Sequence, residues 1–371
     1  MNVRRQTLAV AALISAGCTA AESGPKAPEG AVAEFVAWVS GGVERTADRF
    51  EVWICHVPSD TAVDVYEPSS ARLDVEPAAL TATIAPSLTR YFETISLGRY
   101  RPTFVAGGHV ELGVEDDSQD CTAFAAAQSN ASTTAILAVA DAEHTADAPG
   151  GWGRPNNDTC PQPTCSARES GRAIYVGAAD FHPDWRSRPP LDLVEHEIGH
   201  SLGWPHSATG DTATASGMDP EHASPIDLMS DSAAPRRADS ARRDGPDVLG
   251  VERLLSGWID PSTILDGSAR SGRITLTPPN ASPSTPGPRL VIIATGPHRV
   301  ATIESVHADG LNGHLTTPGV AIHVIDLARA PVLPVVQGHS TDGLLHAGDH
   351  WAEGGVDVEV VSATEVSISR R

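Results

Sequence analysis

The eleven residues from His196 to His206, HEIGHSLGWPH, set three imidazoles and a carboxylate among small and apolar residues. On a helix His196 and His200 stand about 400° of rotation and about 6 Å of rise apart, so both rings project from one face. Glu197 lies about 100° further round, where its carboxylate reaches a water on a metal without ligating the metal itself. Gly203 can take the left-handed conformation that ends a helix, and such a turn swings His206 back as a third imidazole. Three neutral imidazoles leave the fourth tetrahedral position open, which marks a zinc site that does chemistry rather than one that only braces a fold. Five fixed positions of these types coincide by chance in about one chain in ten thousand of this length. A solvated helix with incidental histidines is therefore the weaker reading.

The stretch matches HExxHxxGxxH at each defining position and so resembles the metzincin zinc endopeptidases. That family sets a methionine-bearing turn beneath the zinc histidines. Pro225-Ile-Asp-Leu-Met229-Ser230 is similar to it and holds one of only three methionines in the chain. Arg90 to Phe104, Arg253 to Asp260, Pro318 to Asp326 and Gly348 to Val356 resemble segments of the bacterial immune-inhibitor-A-like branch, with a gametolysin-like relative as the alternative. The resemblance implies one catalytic zinc on His196, His200 and His206, Glu197 as general base and acid, Met229 in the turn, and polypeptides as substrates. It also implies that the segment after the turn walls a substrate pocket, bringing in Pro235 and Arg236, with a preference for acidic residues there. Several members carry a tyrosine just after the methionine, whereas this chain has Ser230 and Asp231. The competing reading is an inactive metzincin scaffold on the cell surface that binds a glycan or a protein, and the intact Glu197 argues against it.

Elements able to position these residues can be read along the chain. Glu51 to Val57 reads as a strand, and from Pro77 to Leu97 apolar residues recur at helical spacing. Strands are expected at Thr103 to Ala106, Ala135 to Ala140 and Ala173 to Gly177, the last as the sheet edge that receives extended substrate. The segment Ala148 to Ser170 reads as loop, Pro189 opens the helix that carries the histidines, and Val248 to Trp258 closes the first half. Beyond Asp260, short strands separated by Pro and Gly suggest a small sandwich. The fold expected is α+β: a metzincin-type domain over 46–262 with a mixed twisted sheet and a zinc helix, then an all-β domain over 263–371.

The N-terminus carries Arg4 and Arg5, an apolar run from Leu8 to Ile14, and small residues before Cys18, the build of an export signal over 1–17. It resembles the bacterial lipoprotein signal, so Cys18 is the expected lipidation site, 18–45 a tether, and the protein exported and held at the cell surface. With Cys18 set aside, Cys55, Cys121, Cys160 and Cys165 can pair completely. Of three connectivities, Cys160 with Cys165 and Cys55 with Cys121 is favoured, in keeping with an oxidising compartment. A net charge of −21 argues against a nucleic-acid partner. The arginines at 236, 237, 242 and 243 read as a solvated charged loop. His182 and Asp184 read as loop caps, and His314, His323, His339, His346 and His350 show no ligand spacing. Asp116, Asp117 and Asp120 could hold calcium, although no defined calcium loop surrounds them.

Overall fold

The computed structural model describes residues 30–59, 62–63, 72–144, 150–178, 181, 188–209, 220–338 and 342–370. The export signal with Cys18, the residues His182 and Asp184, and His339 lie outside them.

The chain mixes helices with several sheets. Its first half runs α1 (Ala31–Ser40), β1 (Arg49–His56), β2 (Ala62–Val63), α2 (Pro77–Ile95), β3 (Thr103–Glu111), α3 (Ser118–Gln128), β4 (Ala135–Ala140), β5 (Glu143–His144), β6 (Gly151–Arg154), α4 (Ala167–Ser170), β7 (Ala173–Val176), α5 (Asp192–Ser201) and β8 (Ala208–Thr209). After α6 (Ala234–Ala238) and α7 (Gly250–Leu255) come β9 (Ile264–Asp266), β10 (Gly272–Thr275), β11 (Leu290–Gly296), β12 (Arg299–Val306), β13 (Gly319–Asp326), β14 (Pro334–Val336), β15 (His350–Glu353), β16 (Val356–Ser362) and β17 (Glu365–Arg370).

Five strands form one sheet in the order β3, β1, β4, β7, β6, all parallel except the antiparallel edge strand β6. Both faces are covered, which is why β1 and β4 read as continuous apolar runs. Val52, Ile54, Leu137 and Val139 join the core containing α2 and α5, while Trp53, Cys55, Ile136 and Ala138 join a second core with Cys121 and Ala125 of α3. The Cys55–Cys121 disulfide ties α3 to the central part of the sheet, and Cys160–Cys165 closes a local loop.

Three expectations are corrected. The tether of 18–45 contains α1, because Val32, Phe35 and Val39 form a buried stripe against α7 and the second half. Burying each such side chain is worth about 1.5–3 kcal/mol, which offsets part of the cost of ordering the helix. The loop of Ala148 to Ser170 contains β6 and α4, so the strand at Ala173 is interior and the sheet edge is β6. Its sequence, GWGR, has two glycines and no alternating apolar pattern, and its pairing with β7 makes it a strand. The acidic segment, expected as a solvated turn with calcium only a possibility, is a helix cap. Asp117 accepts the N–H groups of Gln119 and Asp120, Asp120 accepts that of Asp117, and Asp116 accepts that of Gly113.

The second half is two sheets face to face, β8-β14-β13-β12-β11-β9 and β10-β17-β16-β15, with Val291, Ile303, Ile322, Val358, Val366 and Trp351 buried between them. Its outermost strand comes from the first half: β8, two residues past His206, pairs in parallel with β14 through Ala208 to Val335 and Thr209 to Val336. Three carboxyls are buried where the halves meet. Glu304 on β12 accepts the Gly250 N–H at 2.9 Å, and Glu252 and Asp227 lie in the same electrostatic neighbourhood with Asp247 and Arg253. Burial, reinforced by Asp227 and Asp247, pushes Glu304 up to about 8, and burial pushes Asp227 up to about 7.

A carboxyl whose folded pKa exceeds its unfolded value binds its proton more tightly in the folded state, so stability falls as pH rises through the interval between the two. For Glu304 that interval runs from the ordinary value of 4.5 to about 8. One such carboxyl contributes a slope of about 1.4 kcal/mol per pH unit there. The melting temperature is expected to be lower at pH 8 than at pH 5, and Glu304→Gln to flatten that difference. An unchanged pH profile in the variant would show that Glu304 ionises freely.

Candidate metal centre

The histidine helix α5 is gripped at both ends. Past its last turn, Arg172, fully buried, donates from Nε to the Ser201 carbonyl and from Nη2 to Ser201 Oγ, both at 3.1 Å, and pairs with Asp48 at 2.7 Å. At its first turn Arg236 forks onto Asp192 at 2.9 and 3.2 Å, and Glu195 accepts the Gly245 N–H at 2.7 Å. Gly203 has φ 89°, and the Trp204 N–H returns to the Gly199 carbonyl at 3.1 Å, which reverses the chain toward His206.

That reversal gathers the three imidazoles. Their ligand atoms all lie within 4.8 Å of one another. Nε2 of His206 is 3.3 Å from Nε2 of His196 and 2.8 Å from Nε2 of His200. A tetrahedral zinc with bonds of about 2.0–2.1 Å spaces its nitrogens about 3.3 Å apart, so the cluster has the right size. Ring protonation agrees. His196 Nδ1 donates to the Leu228 carbonyl at 2.7 Å and His200 Nδ1 to the Trp204 carbonyl at 3.0 Å, which places each proton on Nδ1 and leaves Nε2 a lone pair. His206 Nδ1 faces Glu221 at 3.4 Å. Burial, then His200, holds His196 well below the ordinary histidine range, and burial, then His206, takes His200 to about 4. His196 and His200 are thus held neutral with their Nε2 lone pairs toward Nε2 of His206, and the donor set fits zinc.

Beneath them Met229 is fully buried in a turn closed by the Ser230 N–H to the Asp227 carbonyl at 3.2 Å. A side chain at Gly199 would put its Cβ 2.5 Å from the Met229 sulfur, so glycine there lets the turn press against α5 between the two helical histidines. The Ser207 N–H bonds the Met229 carbonyl at 3.1 Å and Ser207 Oγ donates to Asp227 at 2.6 Å, so the turn also holds the residue following His206.

Glu197 is 4 % exposed and lies against β6. A Cβ on Gly151 would sit 3.0 Å from its Cγ, and one on Gly153 would collide with its carbonyl. The glycines that made β6 unreadable as a strand are what let it lie on α5 beside Glu197.

The structure therefore brings together His196, His200, His206, Glu197 and Met229. The arginines at 236, 237 and 242 are partly solvated and also paired within the chain: Arg236 holds Asp192, Arg237 holds Asp231, and Arg242 donates to the carbonyls of Gly310 and Leu311. With its charge matched inside the chain, Arg236 gives no support to an acidic preference. Sequence reasoning missed the Leu228 carbonyl, Asp227, Glu221 and His222, whose ring centroid is 5.3 Å from that of His206. Only the tertiary fold sets them beside the histidines, and no spacing announces them.

No protein-family model matches this chain, and no curated protein matches it. Among solved structures it is similar to archaemetzincin from Methanopyrus kandleri at 13% identity, over 57% of this chain and 95% of that one, with a TM-score of 0.30.

The purified protein is expected to hold one zinc, as read by metal analysis, and His206→Ala to lose it, since two helical imidazoles alone make a poor site. Gly199→Ala should destabilise by about 1–3 kcal/mol through overpacking against the Met229 sulfur, whereas Met229→Leu should cost less than about 1.5 kcal/mol. Equal melting temperatures for Gly199→Ala and wild type would refute the close contact.

Proposed function

We propose that this chain is a zinc-dependent endopeptidase of metzincin type, exported and anchored through a lipidated Cys18. The observation that carries the reading is the convergence of three imidazole lone pairs, with a buried carboxylate at the next helical position, beneath a sheet edge. The motif resemblance to the immune-inhibitor-A-like branch supports the same reading.

His196, His200 and His206 would hold the zinc, which when bound would supply Lewis acidity toward a water and the scissile carbonyl. The chain's own groups do the rest. Leu228 and Trp204 keep the ring tautomers that leave Nε2 unprotonated. The outer edge of β6 offers main-chain N–H and C=O groups to an extended polypeptide, which gives affinity with little demand on side chains. Glu197, against the inner side of the same strand, takes the proton of the attacking water on a carboxylate oxygen and returns it to the leaving amine. The bound strand and the base thus share one support.

Glu197→Gln keeps the shape and removes the base. Zinc content and melting temperature should be unchanged, while hydrolysis of an unfolded protein falls about 10²–10⁴-fold. If wild type and variant digest equally, HEIGHSLGWPH is not the hydrolytic centre. If wild type shows no chelator-sensitive hydrolysis, the binding-scaffold reading takes its place. For the anchor, mass spectrometry of the native N-terminus should find a diacylglyceryl-modified Cys18, and an unmodified start further on would show free secretion.

A further inference from the structure

Peptide hydrolysis builds negative charge on the scissile carbonyl oxygen, and a donor already in place there lowers the barrier without reorganising. Glu197 stands on the β6 side of the three histidines. Beside His206, on the segment that leads into the Met229 turn, stands His222. Its ring is edge to face with that of His206, at a centroid separation of 5.3 Å and an interplanar angle of 69°. The residue is exposed to solvent. It is not a fourth member of the group whose ligand atoms lie within 4.8 Å of one another.

The backbone carrying His222 is firmly held. It ends a short 3-10 turn, Pro220–His222. Ser230 Oγ donates to the Glu221 carbonyl at 3.1 Å and accepts the Ser224 N–H at 3.0 Å, and the Asp231 N–H bonds the Ser224 carbonyl at 3.2 Å. Glu221 also lies 4.0 Å from Arg329 of the second half. Ser230 directly follows Met229, so the turn that floors the centre also braces the wall on which His222 stands. The ring thus stands beside the third histidine on a braced segment.

Resting on the peptidase reading above, we propose that His222 is a further catalytic residue, its ring N–H donating a hydrogen bond to the oxyanion that forms on the scissile carbonyl. His222→Ala should leave one zinc per chain and lower kcat about 10²–10³-fold, with KM changed less than about threefold. His222→Gln, which keeps an N–H donor, should recover part of that loss. A second readout needs no turnover. The zinc-loaded variants are titrated with a phosphinic peptide, whose tetrahedral phosphinyl group carries two oxygens, and with a simple alkyl thiol, which offers one sulfur. His222→Ala should weaken the phosphinic peptide about 10- to 100-fold and leave the thiol unchanged. Loss of zinc from the variant would overturn the proposal by making His222 a ligand. An equal effect on both probes, or on neither, would overturn it too. A wild type that never hydrolyses peptides, yet shows the selective loss of phosphinic affinity, would remove the peptidase reading and keep His222 as a donor to a tetrahedral anion.

Discussion

Three imidazole lone pairs can share one point only if each ring is neutral, carries its proton on the far nitrogen and cannot rotate away. That constraint organises the structure around the site. The carbonyls of Leu228 and Trp204 meet it for His196 and His200, one from the turn below the helix and the other from the reversal at its end. Nε2 of His206 stands 3.3 Å from that of His196 and 2.8 Å from that of His200, and the helix carrying the latter two is held by Arg172 at one end and Arg236 at the other.

The centre also lies on the seam between the two halves. Two residues after His206 the chain becomes the outermost strand of the second half's sheet, and His314 Nε2 donates to the Pro225 carbonyl at 2.7 Å, just before the methionine turn. The third histidine and the turn are thus both fastened to the β-rich half. The buried carboxyls of Asp227, Glu252 and Glu304 occupy the same seam, where desolvation favours their neutral forms. Asp227 also accepts the Ser207 hydroxyl next to His206, at 2.6 Å.

Much of the first half was legible because its signals are local. The stripe through Leu80, Ile84, Leu88, Phe92 and Ile95 marks α2, and the apolar run at Ala135–Ala140 marks a strand covered on both faces. Spacing alone set His196, Glu197 and His200 on a helix. By contrast, β6 has only glycines, a tryptophan and an arginine to offer, and α3 alternates small and polar residues with no apolar stripe, so pairing and a disulfide define them instead. The helix α1 did carry a signal, Val32, Phe35, Val36 and Val39, but it follows a stretch composed like a linker.

By itself, then, the sequence determined which three histidines cluster, the helix that carries two of them with Glu197, and the turn at Gly203 that returns His206, because these depend on residue type and on rotation per residue within eleven positions. The tertiary structure alone decided what those residues are set against. It chose β6 rather than β7 as the edge over the base, turned the acidic segment near Asp117 into a helix cap, spent the charge of Arg236 on Asp192, and brought His222 to His206. The physical reason is that strand order, ion pairing and the approach of distant loops are settled by long-range burial and backbone pairing, which leave no periodicity in the chain to be read.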